Sequence, residues 1–291
     1  MQNRESSNID LSIIIVTWNS EEDLPECLNS ILDNNYNFKF EVIIVDNNSS
    51  DNSAKVINNF IEIYDSDIKL IINKVNVGFT KACNQGIKIS KGNYILFLNP
   101  DTEIVENSLD FLYKKFIMEN SFAAIVPQLL NVDGTIQYSC RKLPRYIDLY
   151  FEIFLLSSIF STSTFFSRWK MKYFSHDEET EVEQPMAAAF LLKKSILDVI
   201  NNFDESYYMF FNDVDLCKKI SDKNMKILFY PEAKIIHKKG ISINKDHAKM
   251  IKAWNSDCLK YFKKYHYNFV KFHVLKILFT IIYPIRILIK S

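Results

Sequence analysis

Glycine is scarce in this chain. There are five in 291 residues, and none falls in a G-x-G-x-x-G or G-x-x-x-x-G-K-[ST] pattern. This argues against a glycine-rich nucleotide loop. Cysteine is sparse and unpaired. The five positions, 27, 83, 140, 217 and 258, show no C-x-x-C pair and no zinc spacing. An odd, scattered set fits a reducing compartment better than a disulfide framework. A signal-peptide apolar core is missing from the polar stretch Met1–Asp10, so a cytoplasmic location is expected. Long apolar runs are missing too. Ile153–Ser167 is uncharged but only fifteen residues long, and Phe269–Ile289 is broken by Lys271, His273, Lys276, Pro284 and Arg286. A spanning helix needs about 20 mostly apolar residues.

Net charge is also absent, with 35 basic and 35 acidic residues. The balance is uneven, however. Lys238–Ser291 holds twelve Lys or Arg against Asp246 and Asp257, a net of +10, which leaves −10 for the first 237 residues. A basic, apolar tail of this kind predicts a helical segment, 244–291, lying on an anionic membrane surface. The competing use of Phe269–Ile289 is packing on the core or between copies of the chain. Nothing predicts a nucleic-acid partner.

What is present is a rhythm. Apolar runs at Leu11–Thr17, Val42–Val45, Ile68–Ile72 and Tyr94–Leu98 alternate with helical stretches at Glu21–Leu32 (Ser20 as N-cap), Ala54–Ile63 and Thr80–Ile89. This βαβαβαβ order predicts an α/β fold, a doubly wound sheet with helices on both faces. Its strands are apolar throughout, as expected where both faces are covered. After Asp101 the pattern loosens. Helices are expected at Leu109–Met118, Asp213–Ser221 and Lys245–Lys264. Strands are expected at Ala123–Val126, Thr135–Tyr138, Ala187–Leu192, Ile227–Tyr230 and Lys234–His237. Arg145–Glu183 reads as an irregular, aromatic-rich insertion.

Three strand ends collect polar groups: Thr17-Trp18-Asn19, Asp46 through Asp51, and Asn99-Pro100-Asp101. Each alone is ordinary turn chemistry. Parallel strands deliver all three to one sheet edge, where open α/β sheets bind ligands. Asp101 there suits a hard divalent cation, which in turn suits a diphosphate. Further on, Asp213 and Asp215 open a helix. Two positions apart, they cannot share a helical face, so at most one enters a given pocket. His237 ends a short strand.

These motifs, in this order, resemble family 2 glycosyltransferases of the GT-A fold. The resemblance rests on Ser12–Asn19 (SIIIVTWN), Val45–Asp51 (VDNNSSD), Asn76–Phe79 (NVGF), Asn84–Gly86 (NQG) and Leu98–Thr102 (LNPDT). Three more segments match the rhamnosyltransferase-like branch of bacterial surface-polysaccharide synthesis: Asp133–Arg141 (DGTIQYSCR), Phe203–Cys217 and Tyr230–Gly240. The likeness spans about residues 11–243, taken as a catalytic domain followed by the basic segment 244–291. It implies a Rossmann-like mixed sheet and an inverting, metal-dependent transferase using a dTDP- or UDP-sugar, rhamnose or a similar sugar. The acceptor is a hydroxyl on a glycan or lipid-linked glycan. It further implies that Thr17, Asn19, Asp46, Asn48, Gly78, Phe79, Asn84 and Asn99 bind the nucleotide sugar. Asp101 and His237 hold Mg²⁺ or Mn²⁺, and Asp213 is the catalytic base.

The chain departs from the pattern in three places. Asn99 replaces the first acid of the metal motif, Asn212 stands where relatives often carry Glu, and Ala187 stands where they commonly carry Gly. Two other classes compete. A nucleotidyltransferase would carry a glycine-rich basic loop where Thr17–Glu22 stands. A degenerate, non-catalytic binding module would not be expected to keep Asp46, Asp101, Asp213 and His237 together.

Overall fold

The computed structural model describes residues 9–64, 68–238 and 247–288. Four parallel strands form one half of a single sheet: β1 (Leu11–Thr17), β2 (Phe40–Asp46), β3 (Ile68–Ile72) and β4 (Tyr94–Leu98), in the spatial order β3-β2-β1-β4. Side chains alternate across β1. Leu11, Ile13 and Ile15 pack into a layer with Leu24, Leu28 and Ile31 of α1 (Leu24–Leu32), whereas Ile14 joins the opposite layer with Cys83 and Ile87 of α3 (Phe79–Ile89). Both faces are thus dry, which accounts for the unbroken apolar strands. α2 (Ser53–Tyr64) covers the β2–β3 side.

Beyond β4 the chain reverses direction. β5 (Thr102–Ile104) and α4 (Ser108–Met118) lead to β6 (Phe122–Leu130) and the short β7 (Ile136–Gln137). After an intervening segment come β8 (Thr180–Val182), β9 (Ala189–Lys193), α7 (Lys194–Ile200), α8 (Asn212–Asp222) and β10 (Lys226–His237). β9 runs antiparallel to β4 and β6, so the ten-stranded sheet is mixed.

Several expected boundaries shift. Ser20 is not the N-cap of α1. The helix begins at Leu24 with Pro25 in its first turn, a position where the missing N–H costs nothing, and residues 21–23 form a turn. The two strands expected at 227–230 and 234–237 are one strand. Its pairing with β6 slips between Tyr230 and Lys234, around Pro231, which has no N–H to give the ladder. The segment expected to be irregular carries α5 (Tyr146–Ile153), α6 (Leu156–Ile159) and β8, which pairs with the first half of β10.

The order in 145–183 comes from distant partners. α9 (His247–Tyr265) and α10 (Phe269–Leu288) follow the sheet. Tyr146 and Leu149 of α5, Trp169, Tyr207 and Phe211 form one buried cluster with Tyr261 and Phe262 of α9 and Leu275 and Phe279 of α10. No helix among the described residues is long and apolar enough to cross a membrane.

Candidate active site

Strand pairing builds the first part of the site. β5 lies antiparallel to the end of β10 with Thr102 opposite His237, and the Lys238 amide donates to the Asp101 carbonyl at 2.9 Å. Residues 136 positions apart are thereby zipped together, and His237 Nε2 stands 3.5 Å from Asp101 Oδ1. The imidazole is oriented from behind by Gln137. The Gln137 amide nitrogen donates to the Asn131 side-chain oxygen and to the His237 carbonyl, both at 3.0 Å. That leaves its Oε1 to accept from His237 Nδ1 at 2.7 Å. With Nδ1 carrying the hydrogen, Nε2 presents a lone pair to a carboxylate oxygen. Either a second proton on Nε2 or a bound cation satisfies this pair. The donor set, one carboxylate oxygen and one imidazole nitrogen fixed by an amide behind it, fits Mg²⁺ or Mn²⁺. No third His, Cys, Asp or Glu joins them among the described residues, so further ligands have to come from a bound diphosphate or water.

Asp101 and His237 line a cavity of about 470 Å³ that is also lined by Asp213, in the first turn of α8. The helix is entered through Phe211 in the left-handed region (φ 57°), a strained conformation for a bulky residue and one that recurs at functional sites. Asp213 Oδ1 accepts from the Val214 amide at 2.8 Å, and Oδ2 accepts from Gln184 Nε2 at 3.2 Å. Burial raises the pKa of this carboxyl, and the neighbouring Arg141 guanidinium opposes that rise. Burial likewise lowers the pKa of Arg141, with Asp213 opposing. A carboxylate raised toward neutrality inside a cleft has the character of a general base. Asp215 points away, bonded to Lys264 and Tyr265 of α9. Only one of the two acids enters the cavity, as their spacing requires.

The other sequence-chosen residues divide into two groups. Thr17, Gly78, Phe79 and Asn99 line the same cavity as Asp101, Asp213 and His237. The Thr17 hydroxyl is buried and has no hydrogen-bond partner, which marks it as awaiting one. Gly78 (φ 88°) lies against Tyr208; a Cβ there would come within 2.8 Å of the Tyr208 ring. Asn19, Asp46, Asn48 and Asn84 are not in the cavity wall. Asp46 is 2% exposed and accepts from the Ser49 amide and hydroxyl. Asn19 (φ 53°) accepts from the Ser50 amide at 2.7 Å and so secures the loop after β2. Asn48 is exposed in the left-handed region of that loop. Asn84 exchanges hydrogen bonds with the backbone of Phe203 and reaches Glu205, which pins the approach to α8.

Sequence reasoning missed Gln184, Tyr208, Trp169 and Trp254 in the wall, and gave no role of their own to Trp18 and Asn76, which its motifs contained. It also missed the separate uses of Gln137 and Arg141, although both were visible in the 133–141 motif. Gln137 backs His237, and Arg141 sits beside Asp213.

Residues 12–174, more than half of the chain, match the family model described as Glycosyl transferase family 2. The chain belongs to that family. Among curated proteins this family 2 transferase is 34% identical over 126 residues to the poly(ribitol-phosphate) beta-glucosyltransferase of Bacillus spizizenii, a match covering 43% of the chain and 20% of that enzyme. The chain thus spans only about a fifth of that relative's length. Among solved structures it resembles S. aureus TarS 1-349 in complex with UDP-GlcNAc, with a TM-score of 0.55 at 17% identity, covering 87% of this chain and 67% of that one. It also resembles the mannosyltransferase PcManGT from Pyrobaculum calidifontis in complex with GDP-Man and Mn²⁺, with a TM-score of 0.59 at 15% identity, covering 89% and 64%. At such identities the likeness establishes the GT-A fold of this transferase and nothing finer.

Proposed function

We propose that the chain is a metal-assisted, inverting glycosyltransferase. It moves rhamnose or a similar sugar from a dTDP- or UDP-sugar to a hydroxyl of a glycan or lipid-linked glycan, at the cytoplasmic face of the cell membrane. The observation that carries this reading is a cavity lined by both the Asp101–His237 pair and the desolvated Asp213. Family membership and neighbours bound to UDP-GlcNAc and GDP-Man with Mn²⁺ support it.

In this reading the donor lies along the edge made by Thr17, Gly78 and Asn99, and Asp46 reaches the base once Ser49 yields its hydrogen bonds. Mg²⁺ or Mn²⁺ held by Asp101 and His237 supplies neutralising charge for the leaving diphosphate. Asp213, held by Gln184 and the Val214 amide, takes the proton of the acceptor hydroxyl. That oxygen bonds to the anomeric carbon from the face opposite the diphosphate. The carbon–oxygen bond to the diphosphate breaks, its electron pair departs with the nucleoside diphosphate, and the configuration inverts. Residues 1–243 carry the proposed base and metal ligands, α9 completes the cavity wall through Trp254, and α10 supplies the membrane-facing surface.

A panel of nucleotide sugars with Mg²⁺ or Mn²⁺, read by thermal shift and by turnover, tests the proposal. A donor that stabilises the chain and is consumed is the expected result. Asp213→Asn is expected to lower turnover about 10²–10⁴-fold while donor binding persists, and Asp101→Ala to remove the metal dependence of binding. A folded Asp213→Asn variant with wild-type turnover would assign the base elsewhere. A chain that binds nucleotide sugar but never turns it over would be a binding module.

A further inference from the structure

Exposed large apolar side chains gather on two segments far apart in sequence. The first is Phe154–Phe165, where Phe154, Leu155, Ile159, Phe160 and Phe165 are all exposed, Ile159 by 67%. The second is α10, where Phe269, Val270, Val274, Ile277 and Ile281 are exposed, Val270 by 68%. The fold makes them neighbours. α5 leads straight into the first segment and contacts α10, with the Tyr150 hydroxyl donating to the Lys271 carbonyl at 3.2 Å. The segment is folded back on α5 by rings: Phe166 lies 4.9 Å from both Phe151 and Phe160. An apolar surface of this extent marks an interaction site.

Charge decides the occupant. Ile153–Ser167 carries no charge at all. After Asp257 the sequence has no acidic residue but seven basic ones, Lys260, Lys263, Lys264, Lys271, Lys276, Arg286 and Lys290. Of these, Lys260 pairs with Asp257 and Lys264 with Asp204 and Asp215, and the charge of the face itself comes from Lys271 and Lys276 of α10. Lys172 borders the aromatic segment and reaches the Ser158 hydroxyl at 3.4 Å. A second copy docked with α10 against α10 would bring together two basic helices, since Phe269–Leu288 holds Lys271, Lys276 and Arg286 and no acid. An anionic bilayer answers both features, taking the apolar side chains below the headgroups and the lysines among them.

We propose that Phe154–Phe165 and α10 together form a two-part bilayer-docking face, and that this face sets the base side of the cavity toward the membrane. Two tryptophans make the connection. Trp254 of α9 lines the cavity, with its ring 5.4 Å from Phe211, which precedes the Asp213 turn, and 5.8 Å from Phe279 of α10. Trp169 lines the cavity four residues after Phe165, and its carbonyl accepts from the Lys142 amide beside Arg141. Each docking element is therefore one side chain removed from the acceptor side of the site. The second half of the inference, delivery of a membrane-anchored acceptor, rests on the transferase reading; the docking does not.

The test is flotation of the full chain with vesicles of phosphatidylcholine, with and without phosphatidylglycerol. Two paired variants touch neither wall of the cavity: Phe154→Ser with Ile159→Asp, and Val270→Asp with Ile277→Asp. The chain is expected to float with the anionic vesicles and less with the neutral ones. Each pair is expected to lower the bound fraction about tenfold, at unchanged circular dichroism and unchanged nucleotide-sugar hydrolysis. A wild-type chain that stays with the soluble fraction overturns the proposal. A Phe154→Ser/Ile159→Asp variant that floats like wild type removes the first segment from it. A dimer seen by light scattering and dissolved by both pairs, without flotation, assigns the face to a second copy. Failure to turn over any nucleotide sugar, with flotation intact, rejects acceptor delivery and leaves docking standing.

Discussion

Asp213, the proposed base, shows what burying an acid costs a fold. Burial disfavours its charged form, so its pKa in the folded chain lies above the ordinary carboxylate value despite Arg141 beside it. A carboxyl whose folded pKa is raised contributes stability at low pH, which is lost as pH climbs through the folded pKa. At neutral pH the folded chain therefore bears the cost of an ionised or forcibly protonated Asp213. Asp213→Asn removes that cost. Its melting temperature is expected to exceed wild type at neutral pH. The gain should shrink to nothing as pH falls below about 4, where the acid is neutral in both states. Melts of both proteins across pH check this. A variant less stable than wild type at pH 7 would mean that the Arg141 pairing outweighs desolvation. That Asp213, Asp101 and His237 belong together was legible because acids at a strand end and a helix start, and a histidine closing a strand, stand out residue by residue. Gln184 was not legible. Its value comes from a backbone contact, its amide donating to the Arg141 carbonyl at 3.0 Å, which no local pattern announces.

At the scale of elements, α8 is fixed by its hidden acid. Asp215 is 1% exposed and meets Lys264 at 2.7 Å, Lys219 at 3.3 Å and the Tyr265 hydroxyl at 2.8 Å. These bonds clamp the helix bearing the proposed base to α9. Asp215→Ala leaves the half-buried Lys264 and Lys219 and the Tyr265 hydroxyl without this acceptor, and a loss of about 1.5–3 kcal/mol in urea denaturation is expected. Because the clamp lies behind the cavity, kcat should fall further than donor affinity, and a variant with unchanged urea midpoint would show the pairing to be idle. Elements with strong local signals, the four parallel strands and their helices, were readable from apolar spacing. The insertion was not. α5 has only eight residues, and its buried ring, Tyr146, packs 4.4 Å from Phe262, which is 116 positions later. Order of that kind is bought by tertiary contact rather than by propensity. β10 misled in the opposite sense, because Pro231 looked like a break where the sheet tolerates a bulge.

The whole molecule ties the basic C-terminal segment to the site. Tyr207, Phe211 and Val214 are 0%, 3% and 5% exposed, and their cover includes Tyr261, Phe262 and Leu275. Each such side chain gains about 1.5–3 kcal/mol from burial, against a total stability of roughly 5–15 kcal/mol for an ordinary domain. Two truncations then separate support from docking. A chain ending at residue 243 uncovers the entry to α8 and is expected to lose cooperative melting and hydrolysis together. A chain ending at residue 268 keeps Trp254, Tyr261 and Phe262 and gives up the α10 contacts, those of Leu275 and Phe279 with the buried cluster and that of the Lys271 carbonyl with Tyr150. It should melt at a lower temperature, hydrolyse nucleotide sugar, and bind anionic vesicles weakly. If the shorter chain instead melted cooperatively and hydrolysed donor at the wild-type rate, 1–243 would be a self-sufficient catalytic unit, and the shared core with α9 would be dispensable. The residue-scale charge on Asp213, the clamp on α8 and the apolar face of α10 are thus successive layers of one support, and the order in which they fail on shortening the chain measures how far the site depends on each.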